Sequence, residues 1–103
     1  TLRRLEQPIS PDVLCYAARV GDLSAVESYL ARGVDVNAKE NEGLTALIEA
    51  SQEGEKDVVE LLLSKGAGVN IKNKYGDSAL SIASKMSHRD VVELLHQHGA
   101  AIK

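Results

Sequence analysis

The amino-acid sequence predicts an all-α solenoid of three stacked helix-turn-helix repeats. The first observation behind this is self-similarity at an offset of 33 residues. Across that offset Ala46 matches Ala79, Leu47 matches Leu80 and Ala50 matches Ala83, and Asp57-Val58-Val59-Glu60-Leu61-Leu62 recurs as Asp90-Val91-Val92-Glu93-Leu94-Leu95. A weaker copy runs through Leu14, Ala17, Gly21, Val26, Glu27, Leu30, Gly33, Val36 and Asn37. The second observation is composition: 44% of residues are hydrophobic, yet there are three tyrosines and no tryptophan or phenylalanine. A core of Ala, Val, Leu and Ile suits closely approaching helices. The third is helix length. Each apolar stripe covers barely ten residues, too few for a helix stable alone, so neighbouring copies must bury one another's faces.

The elements follow in order. Residues 1–9 fall outside the periodicity and read as an N-terminal extension; the repeats cover about 10–39, 40–72 and 73–103. In the first repeat Ser10 is placed to cap, and Pro11 takes the first helical position, where its missing N–H costs nothing. In the second, Thr45 is a good N-cap for a helix over 46–53, and Gly54 supplies the left-handed residue that stops it. A second helix over about 56–65 carries Val58, Val59, Leu62 and Leu63 on one stripe, and Gly66 ends it. The third repeat follows the same plan, with Ser87-His88-Arg89-Asp90 resembling a capping box before its second helix.

A unit of the form Gly-x-Thr-Ala-Leu-x-x-Ala, then Gly, Val-Val-x-x-Leu-Leu and Gly-Ala-x-Val-Asn, resembles the ankyrin repeat. Gly43-Leu44-Thr45-Ala46-Leu47 and Leu62-Leu63-Ser64-Lys65-Gly66-Ala67-Gly68-Val69-Asn70 carry the resemblance most clearly. The family's Thr-Pro-Leu-His signature stands as Asp12-Val13-Leu14-Cys15, Thr45-Ala46-Leu47-Ile48 and Ser78-Ala79-Leu80-Ser81. Proline and histidine are absent each time, which predicts an array less stable than a consensus one. The resemblance implies L-shaped units with β-hairpin-like finger loops. It also implies that Leu30 and Leu63 pack toward the next repeat, so His96 at the third equivalent reads as a cap facing water, with Ser81, Ser84 and Ser87 in the same role. The array is then expected to end near Lys103 and to be monomeric.

Catalytic and cofactor readings find little support. Twelve basic against fifteen acidic side chains, a net charge of −3, argue against nucleic-acid binding. The lone Cys15 excludes an internal disulfide and points to a reducing, intracellular and cytoplasmic setting. No apolar run reaches the roughly 18 residues of a membrane span. No signal-peptide stretch opens the chain, and the missing initiator methionine predicts a processed or excised segment. His96 and His98 fall on different sides of a helix, and with His88 they make no convergent metal site. Cys15 replaces the family's buried histidine and reads as a small core residue. Gly66 and Gly68 follow a helix and lack the phosphate-loop pattern. Glu53, Glu55, Asp57 and Glu60 read as a solvated helix face. Neither an enzyme nor a cofactor is expected.

The remaining expectation is a surface for another protein. Carried over from the family position by position, the finger tips are Glu42, Leu44, Lys74, Tyr75 and Asp77. The exposed inner-helix positions are Arg19, Val20, Gln52, Glu53, Lys85 and Met86. Tyr75 and Met86 are expected near each other as anchors, with Leu44 and Val20 continuing the line. An alternative of another class makes the chain a regulatory or modified segment of a larger enzyme or signalling protein. Asn37 and Asn70 occupy the Val-Asn position that asparaginyl hydroxylases modify in this family. Leu62 stands eight residues before Asn70, and Tyr29 eight before Asn37. The plainer role for both is an amide that ties the turn.

Overall fold

The computed structural model describes residues 11–40 and 42–99. Among them it places six helices and no strand: α1 (Pro11–Val20), α2 (Leu23–Ala31), α3 (Ala46–Glu53), α4 (Lys56–Ser64), α5 (Ala79–Lys85) and α6 (Arg89–Gln97). Helices α1, α3 and α5 pack in one row, α2, α4 and α6 in a second, and each first-row helix also packs on its own repeat's second helix. This is the expected solenoid. The N-terminal extension and the Ser10 cap lie outside the described residues.

Local chemistry explains the helix starts. Thr45 Oγ1 accepts from the Ile48 amide at 3.2 Å and Ser78 Oγ from the Ser81 amide at 3.3 Å. Asp22 does the same for α2, its Oδ1 taking the Ala25 amide at 3.1 Å. Each satisfies a donor that the first helical turn leaves unpaired. The capping box expected at 87–90 does not form. His88 is the N-cap of α6 and makes no side-chain cap bond. Its ring reaches back to repeat 2, where Nε2 donates to the Gln52 carbonyl at 3.0 Å.

That reach explains a glycine. Gly54 closes α3 with φ of 72°, a left-handed geometry that favours glycine. A Cβ there would also lie 2.7 Å from the His88 ring. Gly21 repeats the arrangement, with φ of 79° and the Glu55 carboxylate in place of the imidazole. The third equivalent is Ser87, the one described non-glycine residue with positive φ, at 63°.

The core runs between the rows. Leu14, Ala18, Val26, Ala46, Leu47, Ala50, Val59, Leu62, Ala83 and Leu95 are each 1% exposed or less. Alanines at first-row contacts let helix axes approach closely, and the larger Val and Leu fill the space toward the second row. Among the described residues, one buried side-chain polar atom lacks compensation: Ser51 Oγ has no hydrogen-bond partner. Toward the end of the third repeat the stacking positions turn polar. Cys15 and Ile48 are buried where Ser81 is half-buried, and Leu63 is buried where His96 is exposed. An open depression of about 740 Å³ lies on this face, lined in part by Ser81, Ser84, Val92 and His96.

Candidate functional site

The loops between repeats are built by one device used twice. In the second finger the Glu40 amide donates to the Leu44 carbonyl at 2.9 Å, and in the third the Asn73 amide donates to Asp77 at 2.9 Å. The side chain of the same residue fills each loop. Glu40 Oε1 accepts from the amides of Glu42 and Leu44; Asn73 Oδ1 accepts from Tyr75 at 2.8 Å and Asp77 at 3.0 Å. Asn73 is buried in the process. Such side-chain bonds satisfy turn amides that no ladder would otherwise pair.

Successive fingers are tied together. Asn37 Oδ1 accepts from the Gly68 amide at 2.7 Å, and Lys39 Nζ donates to the Lys72 carbonyl at 3.3 Å. At the tips, Glu42 collects Lys74 Nζ at 2.9 Å and the Tyr75 hydroxyl at 3.1 Å. Lys74 Nζ also lies 5.3 Å from the Tyr75 ring centre. The hydrogen bond from Lys74, then that from Tyr75, holds the Glu42 carboxyl below its usual range. The same contact raises Lys74. Tyr75 is nonetheless 69% exposed, so its hydroxyl is fixed and its ring is presented.

The third finger also reaches the end of α5. Asp77 Oδ1 accepts from Lys85 Nζ at 2.8 Å, beside Met86, which caps α5 and is 49% exposed. Val20 is exposed at the end of α1, and Glu53 at the end of α3. Gln52 is half-buried and offers its carbonyl to His88. Leu44 does not stand free at its tip. It is half-buried against the core, and its carbonyl accepts from Cys15 Sγ at 3.6 Å. Asn70 is exposed, whereas Asn37 is half-buried at its inter-repeat bond.

Sequence reasoning passed over Glu49. It lies in the first turn of α3, 8% exposed, where the other repeats carry Tyr16 and Ile82. Burial raises its carboxyl; Arg19, with Nε 3.8 Å away, opposes the shift, and Glu40 and Glu53 add to it. Arg19 is thereby held between Glu49 and the Tyr16 ring, whose centre lies 5.2 Å from the guanidinium carbon. The signal was a lone carboxylate at an apolar repeat position. Glu40 and Asn73 were also missed, although both stand at the same place in the 33-residue period and both can accept two bonds.

Cys15 is buried, and burial, then the nearby Glu49 charge, pushes its thiol up to about 12. It stays a thiol near neutrality and is a poor nucleophile. Among the described residues no three His, Cys, Asp or Glu side chains come together as metal ligands. No described helix is long and apolar enough to cross a membrane. What the arrangement offers is a row of fixed polar groups and exposed apolar side chains, which suits recognition of another surface.

The architecture defines the class as a stacked-repeat solenoid with linked fingers. The chain belongs to the ankyrin-repeat family: the model of ankyrin repeats, in three copies, matches residues 14–103. Proteins of this family are typically interaction modules. No curated protein sequence matches the chain. Among solved structures it is similar to a chain in the complex of a predatory endopeptidase from Bdellovibrio bacteriovorus with an immunity protein, at 36% identity and a TM-score of 0.86. The match covers 91% of this chain and 49% of that one, so this chain spans about half its neighbour's length.

Proposed function

We propose that this ankyrin array is a non-catalytic module that binds a partner protein through its finger tips and the concave face of α1, α3 and α5. The observation that carries the reading is the Glu42–Lys74–Tyr75 cluster, which fixes two charges and a hydroxyl while leaving the tyrosine ring exposed. A tyrosine already held by its hydroxyl loses little freedom on binding, which is how preorganised contacts gain affinity. Met86 and Val20 extend the apolar line along the first-row helices, and Arg19, Glu53 and Lys85 supply charges for orientation. Leu44 serves by holding its finger to the core. A stable complex takes roughly 800 Å² from each partner, within reach of three repeats. The solved complex of peptidase and immunity protein makes a peptidase the first partner class to examine.

The test is capture from the source lysate with the chain and with a Tyr75→Glu/Met86→Glu variant of unchanged circular dichroism, followed by titration of the purified partner. The module reading expects a protein retained by the parent chain and bound at least tenfold more weakly by the variant. Equal affinity for both chains would place the binding face elsewhere.

A further inference from the structure

Two columns of first-row helix residues run along the array at the 33-residue period. One is Tyr16, Glu49 and Ile82, and the other is Val20, Glu53 and Met86. In both columns the first and third members are aromatic, aliphatic or methionine, and only repeat 2 carries a carboxylate. Glu49 and Glu53 both belong to α3, and a spacing of four places them on one face of it, about 6 Å apart. Glu53 is exposed.

Nothing in the packing accounts for Glu49. Its side chain is only 10% exposed, at a position that Ile82 fills in repeat 3. Arg19 Nε, 3.8 Å away, stands beyond hydrogen-bond reach. No described residue donates a hydrogen bond to the carboxylate, which burial and neighbouring charges alone perturb. A carboxylate nine-tenths buried without a donor is costly. Residues that break the local pattern at such a cost are expected at functional sites.

The cations along this face are already engaged. Lys74 pairs with Glu42 at 2.9 Å and Lys85 with Asp77 at 2.8 Å, while Arg19 is shared between Glu49 and the Tyr16 ring. Glu40 and Glu53, whose charges also reach Glu49, have no ion-pair partner among the described residues. The middle repeat therefore presents uncompensated negative charge between two apolar neighbours.

We propose that Glu49 and Glu53 receive a basic side chain of the partner protein, an arginine or lysine with apolar residues beside it. The inference rests on the partner-binding face proposed above and adds the chemistry of what that face takes. The partner's cation supplies the donor that Glu49 lacks and reaches Glu53 as well, while Val20 and Met86 cover its apolar neighbours. A charge-assisted bond made in a largely buried site also selects against a partner with a neutral side chain there.

The probe is the capped pentapeptide Ala-Leu-Arg-Leu-Ala, titrated into the labelled 103-residue chain and followed by amide chemical shifts. Shift changes are expected to centre on α3 and the last turn of α1, and the neutral peptide Ala-Leu-Gln-Leu-Ala to bind about tenfold more weakly. Glu49→Gln/Glu53→Gln, with unchanged circular dichroism, should abolish the changes, and Glu60→Gln on α4 should leave them. No shift at about 10 mM peptide, equal binding of both peptides, changes centred on α4 or α6, or binding that survives the double substitution would overturn the proposal. With the cognate partner purified, a complex lost in Tyr75→Glu/Met86→Glu but unaffected by Glu49→Gln/Glu53→Gln would overturn this inference alone and leave the binding face standing.

Discussion

At the residue scale, Glu49 shows how a charge inside a repeat contact becomes a pH-dependent term. Its carboxyl is raised above the ordinary glutamate value of 4.5, first by burial. The folded chain therefore holds this proton more tightly than the unfolded chain does. As pH climbs from 4.5 through the raised value, the unfolded state releases the proton first, and unfolding stability falls across that window. Above it the loss is complete and constant. Glu49→Gln keeps the shape and removes the titration. Urea midpoints measured from pH 4 to 8 should converge for the two chains at the acid end and favour the variant near neutrality. A difference profile that is flat, or that favours the parent at pH 7, would mean that Arg19 outweighs burial. Because Glu49 also positions Arg19, the variant should leave this guanidinium less fixed against Tyr16.

At the element scale, the helix termini divide into those set by near neighbours and those set across repeats. Thr45 was legible as a cap because an N-cap bond closes within three residues, and Gly54 because a stop needs only a left-handed backbone. The segment around Ser87 was not. Serine, histidine, arginine and aspartate in that order suit a capping box, but His88 is drawn to the Gln52 carbonyl of the preceding repeat, 36 positions away. Nothing local signals that pull. The burial of Glu49 was hidden for the same reason, since it is decided by α1 and the second finger and not by its own helix. The period itself did hold the clue, because Ser87 aligns with Gly21 and Gly54. A non-glycine residue in the left-handed region costs about 1–2 kcal/mol, partly offset by the greater freedom glycine has when unfolded. Ser87→Gly should then stabilise the protein by about 0.5–1 kcal/mol, read as a higher urea midpoint at unchanged m-value. No gain would show that the serine side chain contributes a bond worth as much as the strain.

At the scale of the whole molecule, a repeat solenoid is bounded by its two ends, because every interior face is covered by the next copy. The end of repeat 3 reads as polar by substitution at stacking positions: Ser81 follows Cys15 and Ile48, and His96 follows Leu30 and Leu63. Where Leu63 is 8% exposed, His96 stands in solvent. These were among the most legible features of the sequence, since a break in a regular pattern needs no coordinates to be seen. The proposed partner face was less so. Position in the period named Tyr75 and Met86, but the bonds that fix Tyr75 to Glu42 depend on how two fingers meet. The polar end makes a prediction about association. His96→Leu restores the interior pattern, and with Ser81→Ile it rebuilds most of the stacking surface around Leu80 and Val92. An end face so altered resembles half of an interior contact, so copies of this 103-residue chain should meet there. Sedimentation equilibrium across a hundredfold range of concentration should give the parent one mass throughout and give the double variant a mass that rises with concentration. The single variant should fall between them. A double variant that keeps the parent's mass at every concentration would show that polarity at Ser81 and His96 is not what keeps this end from stacking.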